Sequence, residues 1–170
     1  MEKKKELTVS AIENGTVIDH IPADKVFQVV RILGLDKTNN PVYLGINVES
    51  KKYGTKGFVK ISDKYFDPED LNKIALVAPT ASIIEIKDFE VVRKQTVTIP
   101  ERIEHIVKCF NPNCVTNKEH DIPTKFRVKY VDGKLRLICH YCEKYTSEEN
   151  ITVMIINHIL KAILRPRPKN

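Results

Sequence analysis

The chain has 170 residues, of which 42% are hydrophobic and 29% charged, and it carries a formal net charge of +6. These are ordinary values for a soluble globular protein of one domain or two small ones. The charge does not describe a nucleic-acid surface: residues 151–170 hold Lys161, Arg165, Arg167 and Lys169 with no acid, and the rest of the chain is close to neutral.

Met1-Glu2-Lys3-Lys4-Lys5-Glu6 shows no apolar signal segment, so a cytoplasmic protein with reduced thiols is expected. Residues 7–11 alternate apolar and small polar side chains, as a half-buried strand does. Asn14-Gly15 marks a turn, after which residues 16–21 continue extended. Pro22 suits the first turn of a helix. The apolar positions of that helix are Val26, Phe27, Val29, Val30 and Leu33, and Gly34 ends it. Val42, Leu44, Ile46 and Val48 repeat with the strand period. A turn is expected over 54–57 and a strand over 58–61.

Asp67-Pro68-Glu69-Asp70 is a helix start: a side-chain cap, a proline at the first position, and acids facing the positive end of the helix dipole. Leu71, Ile74, Ala75 and Leu76 form its buried face, and Ala78-Pro79 stops it. Two strands follow, over 81–86 and 89–98. The order strand, helix, strand, strand, helix, strand is the ferredoxin-like split βαβ pattern, with extra strand at the end. It predicts an α+β domain over 1–99, an antiparallel sheet with two helices on one face.

Ile99-Pro100-Glu101 marks a joint between domains. Residues 100–150 are β-rich. Residues 126–130 and 134–137 alternate around Asp132-Gly133, a strong hairpin signal. About 50 residues hardly hold a stable core without a staple. All four cysteines lie here, as Cys109-x4-Cys114 and Cys139-x2-Cys142. Two such loops can present four sulfurs to one tetrahedral ion. Asn111-Pro112-Asn113 favours the turn that the first loop needs. A zinc-ribbon-like domain around one structural zinc ion is the expectation; an iron ion on the same four sulfurs, or four separate buried thiols, are the alternatives. Four cysteines leave no open coordination position, so the site is not catalytic. His120 and His140 read as surface residues. No phosphate loop, no dinucleotide fingerprint and no nucleophile–base pair is present, and no catalytic residue is assigned.

The stretch from Thr16-Val17-Ile18-Asp19-His20-Ile21-Pro22-Ala23, with Gly45-Ile46-Asn47, Ala75-Leu76-Val77-Ala78-Pro79, Glu90-Val91-Val92-Arg93-Lys94, Pro100-Glu101-Arg102-Ile103 and the cysteine spacing, resembles the regulatory chain of aspartate carbamoyltransferase. The resemblance covers residues 7–150. It implies a nucleotide-binding allosteric domain, which takes ATP as activator and CTP with UTP as inhibitors. It implies a zinc domain that holds the catalytic chain, a regulatory dimer, and a role in pyrimidine biosynthesis. The family pattern maps onto Lys94 for the phosphates, with His20 and Val91 nearby, and onto Asp19 and Lys60 for the ribose. Ser10, Ala11, Ile12 and Phe89 would surround the base. Ser10 and Ile84 depart from residues found in some members, a glutamate and an asparagine. Asn113 and Glu143, beside the cysteine loops, are candidates for catalytic-chain contact.

Residues 151–164 extend beyond the usual family end and read as an amphipathic helix, with strand character near 151–156. They are too short to span a membrane, and 165–170 reads as a loose basic tail. The rival functions are a nucleic-acid-binding zinc ribbon, for which Arg127, Lys129, Lys134 and Arg136 are a modest cluster, and a small nucleotide-using enzyme.

Overall fold

The computed structural model describes residues 9–154. Residues 9–30 with 37–98 form one unit, and 31–36 with 99–154 form the other.

The first unit carries β1 (Gly15–Ile21), a 3-10 turn (Ala23–Lys25) leading into α1 (Val26–Ile32), β2 (Val42–Ser50), β3 (Gly54–Ser62), α2 (Pro68–Val77), β4 (Ser82–Lys87) and β5 (Glu90–Thr96). The strands lie in the order β2-β3-β1-β4-β5. Every neighbouring pair is antiparallel. This is the ferredoxin-like split βαβ fold, with β5 added at one edge. Period-two alternation gives the sheet two different faces. Ile18, Val59, Ile61 and Ile83 are buried on one face, together with Val26 and Val29 of α1 and Ile74, Ala75 and Val77 of α2. Each Val or Ile among them contributes about 1.5–3 kcal/mol when fully buried. Asp67 caps α2, its carboxylate accepting from the Asp70 N–H at 2.9 Å.

Three local expectations are corrected. Gly54 and Gly57 lie in β3, and the turn falls at residues 51–53. The glycine at 57 serves packing: a Cβ there would collide with Val26 of α1. Phe27 is exposed, and α1 buries Val26 and Val29 instead. Residues 9–11 form no strand, while residues 7 and 8 lie outside the described region.

The second unit builds a four-stranded sheet, β10-β9-β8-β6. Its strands are β6 (Arg102–Glu104), β8 (Lys125–Val131), β9 (Lys134–Cys139) and β10 (Tyr145–Ser147). A two-stranded ladder joins β7 (Val107–Lys108) to β11 (Thr152–Val153), and α3 is one short turn (Val115–Lys118). At the β8–β9 hairpin Asp132 and Gly133 both have positive φ, 52° and 73°, which is the mirror-image turn that suits strand twist. Within residues 99–154 the buried apolar side chains are few: Ile103, Ile106, Val107, Phe126, Leu135 and Leu137, with the cysteines beside them. Residues 152–153 are strand. The rest of the predicted C-terminal helix, from 155 on, and the basic tail lie outside the described residues.

The packing at Gly57 makes a test. Gly57→Ala forces Val26 to move and destabilises the first unit by about 1–3 kcal/mol, the usual cost of overpacking. Urea unfolding measures it, and an unshifted midpoint contradicts the close approach of α1 to β3.

Candidate functional site

The four cysteines converge. Cys109 follows β7, Cys114 starts α3, Cys139 ends β9, and Cys142 closes the tight loop before β10. Their ligand atoms all lie within 4.8 Å of one another. The Cys109–Cys142 and Cys114–Cys139 sulfurs are each 3.7 Å apart. A tetrahedron with metal–sulfur bonds of about 2.3 Å has edges of about 3.8 Å. A disulfide needs about 2.05 Å. The spacing therefore fits four thiolates around one metal ion and does not fit disulfide pairs.

Electrostatics point the same way. Burial pushes the Cys109 and Cys139 thiols up, and the neighbouring cysteines push them further. Burial also works against Cys142, but the Asn111 side chain and the Lys144 N–H outweigh it and bring this thiol down to about 7. Four negative sulfurs at this spacing repel one another unless a cation lies between them.

Short-range chemistry builds each loop. Cys114 N–H donates to Asn111 O at 3.0 Å and Glu143 N–H to Cys139 O at 3.1 Å. Glu143 adopts φ 58° to close its loop. Asn113 and Glu143 are both exposed at the loop tips. Beside them Phe110, Pro112, Lys144 and Tyr145 line a cavity of about 350 Å³, with Phe110 60% exposed. His120 and His140 are exposed.

In the first unit the helix-free face of the sheet carries a row of side chains in register. Lys60 of β3 lies opposite Val17 of β1, Val17 opposite Ile84 of β4, and Ile84 opposite Lys94 of β5. Lys60 and Lys94 thus sit three strand spacings apart, about 14 Å, across an apolar floor. Asp19 shares this face two residues beyond Val17. Ser10 and Ala11 are exposed and Ile12 is buried. The Ser10 carbonyl accepts from Lys60 Nζ at 3.3 Å. Phe89 is 63% exposed with φ 65°, and its N–H donates to Glu13 O at 2.9 Å. Asp88 N–H donates to Asn14 Oδ1 at 3.1 Å, so the 10–14 segment is tied to the β4–β5 turn. Val91 is exposed on β5.

Sequence reasoning missed Lys56. Its Nζ lies 2.8 Å from both carboxylate oxygens of Asp19. Burial raises the Asp19 pKa, but Lys56 and the His20 N–H overcome this and hold it below the ordinary carboxylate value. His20 Nδ1 is 3.5 Å from Asp19 Oδ2 but not aligned for a hydrogen bond. His20, Lys56, Asn47 and Tyr53 line a cavity of about 570 Å³. The available signal was the alternation Lys56, Phe58, Lys60, hidden by reading 54–57 as a turn.

A split-βαβ sheet unit joined to a small four-cysteine unit defines a two-part chain, one part offering a bare sheet face and the other a metal centre. Residues 7–98 match the family model described as the aspartate carbamoyltransferase regulatory chain, allosteric domain, and residues 101–152 match its metal binding domain. Similar proteins include the aspartate carbamoyltransferase regulatory chain of Parabacteroides distasonis, 47% identical over 89% of this chain and 97% of that one. That of Pyrococcus horikoshii is 53% identical over 86% and 96%. This chain belongs to the aspartate carbamoyltransferase regulatory chain family. Its relatives are named as regulatory, not catalytic, chains, and it is a non-catalytic subunit. Among the described residues no helix is long and apolar enough to cross a membrane.

Two measurements follow from the titrations. Cys109 and Cys139 hold their protons at neutral pH without a cation, so metal binding must displace them, and affinity rises with pH. Competition with a chromogenic chelator between about pH 6 and about pH 8 reads this slope; a flat profile contradicts thiolate ligation. Lys56→Ala removes the main charge that lowers Asp19, so the Asp19 carboxyl resonance titrates at higher pH than in the parent chain. An unmoved titration contradicts the pairing.

Proposed function

We propose that this chain is the allosteric subunit of an aspartate carbamoyltransferase: its first domain, residues 1–99, binds ATP as activator and CTP and UTP as inhibitors, and its second domain, residues 100–150, holds the catalytic chain around one zinc ion. The observation that carries the nucleotide reading is the row Lys60–Val17–Ile84–Lys94 on the helix-free sheet face. Cations at its two ends suit phosphates and ribose oxygens, and the apolar floor suits a base or sugar face. Lys94 takes phosphate, with His20 and the Val91 main chain beside it. Asp19 and Lys60 address the ribose. Ser10, Ala11, Ile12 and Phe89 enclose the base, mainly by main-chain groups.

Two nucleotides that compete for one pocket push in opposite directions only if each prefers a different quaternary state. The free-energy difference in binding is the whole signal. Four thiolates suit zinc and iron alike; we read the ion as zinc because a regulatory chain gives it no redox task, and its role is to make the small domain fold. The exposed loop tips Asn113 and Glu143, next to the Phe110–Tyr145 cavity, support a protein partner there, and the catalytic chain is that partner. Self-association into a regulatory dimer and a cytoplasmic setting in pyrimidine biosynthesis complete the reading.

Lys94→Ala loses a charge-assisted contact worth about 1.5–3 kcal/mol, so ATP and CTP both bind roughly tenfold to hundredfold more weakly in titration calorimetry. Unaltered affinity for both refutes the site. Elemental analysis of the purified chain is expected to find one zinc ion per chain, and iron in its place refutes the metal assignment.

A further inference from the structure

Each sulfur of the cluster has its own hydrogen-bond donors. Cys109 takes the Asn111 backbone N–H, Cys139 those of Tyr141 and Cys142, and Cys142 that of Lys144 together with the Asn111 side chain. Cys114 differs. It is the residue from which α3 starts, so the chain bends into a helical turn where the other loops turn amides back on sulfur. Here the donor is a side chain: the Thr116 hydroxyl donates to Cys114 Sγ at 3.3 Å. Cys114 is only 1% exposed, so water does not replace that donor.

The neighbouring residue fixes this aim. Asn117 Nδ2 donates to Cys109 O at 2.9 Å and to Asn111 O at 2.8 Å, using both amide hydrogens. Its own N–H donates to Cys114 O at 2.9 Å. The short α3 turn is thereby clamped across the first cysteine loop. A four-residue helix has little stability of its own, so the clamp, not the helix, holds residue 116 over the sulfur.

We propose that Thr116 is a positioning residue of the metal centre, an outer-sphere donor that orients Cys114 Sγ and draws charge from it, with Asn117 as the clamp that aims it. The inference rests on the four-thiolate metal reading above. Outer-sphere partners of metal ligands typically alter affinity by about 10–100-fold. Without the hydroxyl, Cys114 Sγ becomes more electron-rich, hence more readily protonated off the metal, and less constrained, and the ion escapes sooner.

The test uses the full chain loaded with cobalt(II) in place of the native ion. Wild type must first display the sulfur-to-cobalt charge-transfer bands of a four-thiolate site; their absence overturns the metal reading itself, and this inference with it. Thr116→Val keeps the shape and removes the donor. It is expected to move the charge-transfer band to lower energy and to speed release to a chromogenic chelator about tenfold. Thr116→Ser keeps the donor and is expected to restore both. Wild-type band and release rate in Thr116→Val overturn the proposal. So does Thr116→Ser behaving like Thr116→Val, since that assigns the effect to the lost methyl. If Thr116→Val does not fold, Thr116→Ala against Thr116→Ser answers the same question: equal bands and rates in that pair overturn the proposal, and a shifted, faster-releasing Thr116→Ala supports it.

Discussion

Four sulfurs held within 4.8 Å of one another are the constraint on which the second unit depends. The short strands and few buried apolar side chains of residues 99–154 bury too little surface to offset the ordering of about fifty residues. Bringing four thiolates together in that setting is unfavourable by itself, since burial and mutual repulsion both favour protonated sulfur. A cation at their centre reverses the sign. Binding free energy then becomes folding free energy. All four cysteines lie in the cluster, so a tetrahedral ion held there would keep no open position for substrate.

The first unit solves a different problem. Its sheet is covered on one face by α1 and α2, and among the described residues the other face carries no helix. Antiparallel sheets tolerate this, and the bare face becomes available for a ligand. Register decides what that face presents. Lys60 and Lys94 are thirty-four positions apart in the chain, yet they stand in one row because β3, β1, β4 and β5 pair as they do. A slip of one residue in any of these pairings would turn one lysine into the core. The same register puts Lys56 on the face of Asp19, where the ion pair neutralises a partly buried carboxylate.

Much of this was legible from local signals. Asp67-Pro68 announced α2, because a capping carboxylate and a fixed proline φ act within one turn of chain. Asp132-Gly133 announced the hairpin, because few residues accept positive φ twice in succession. The cysteine spacing announced the metal centre, because two short loops each fix a pair of sulfurs. The errors were equally physical. Gly54 and Gly57 resemble turn residues locally, but Gly57 is there so that Val26 can approach the strand. Phe27 has the right hydrophobicity for the α1 core and the wrong angle, so it stays exposed while Val26 and Val29 are buried. The segment 9–11 alternates like a strand, yet it serves instead to bring the Ser10 carbonyl to Lys60.

The amino-acid sequence alone therefore determined the order of elements, the family and the four cysteines whose spacing lets them come together. Those properties rest on backbone sterics, capping and short loops, which act between residues close in the chain. Tertiary structure alone decided that Lys56 pairs with Asp19, that Val17 and Ile84 floor the space between Lys60 and Lys94, and that Thr116 reaches Cys114 Sγ. These depend on strand register, on the packing of α1 over Gly57 and on the Asn117 clamp. Closure of that kind is a property of the whole assembly of elements, and no local pattern encodes it.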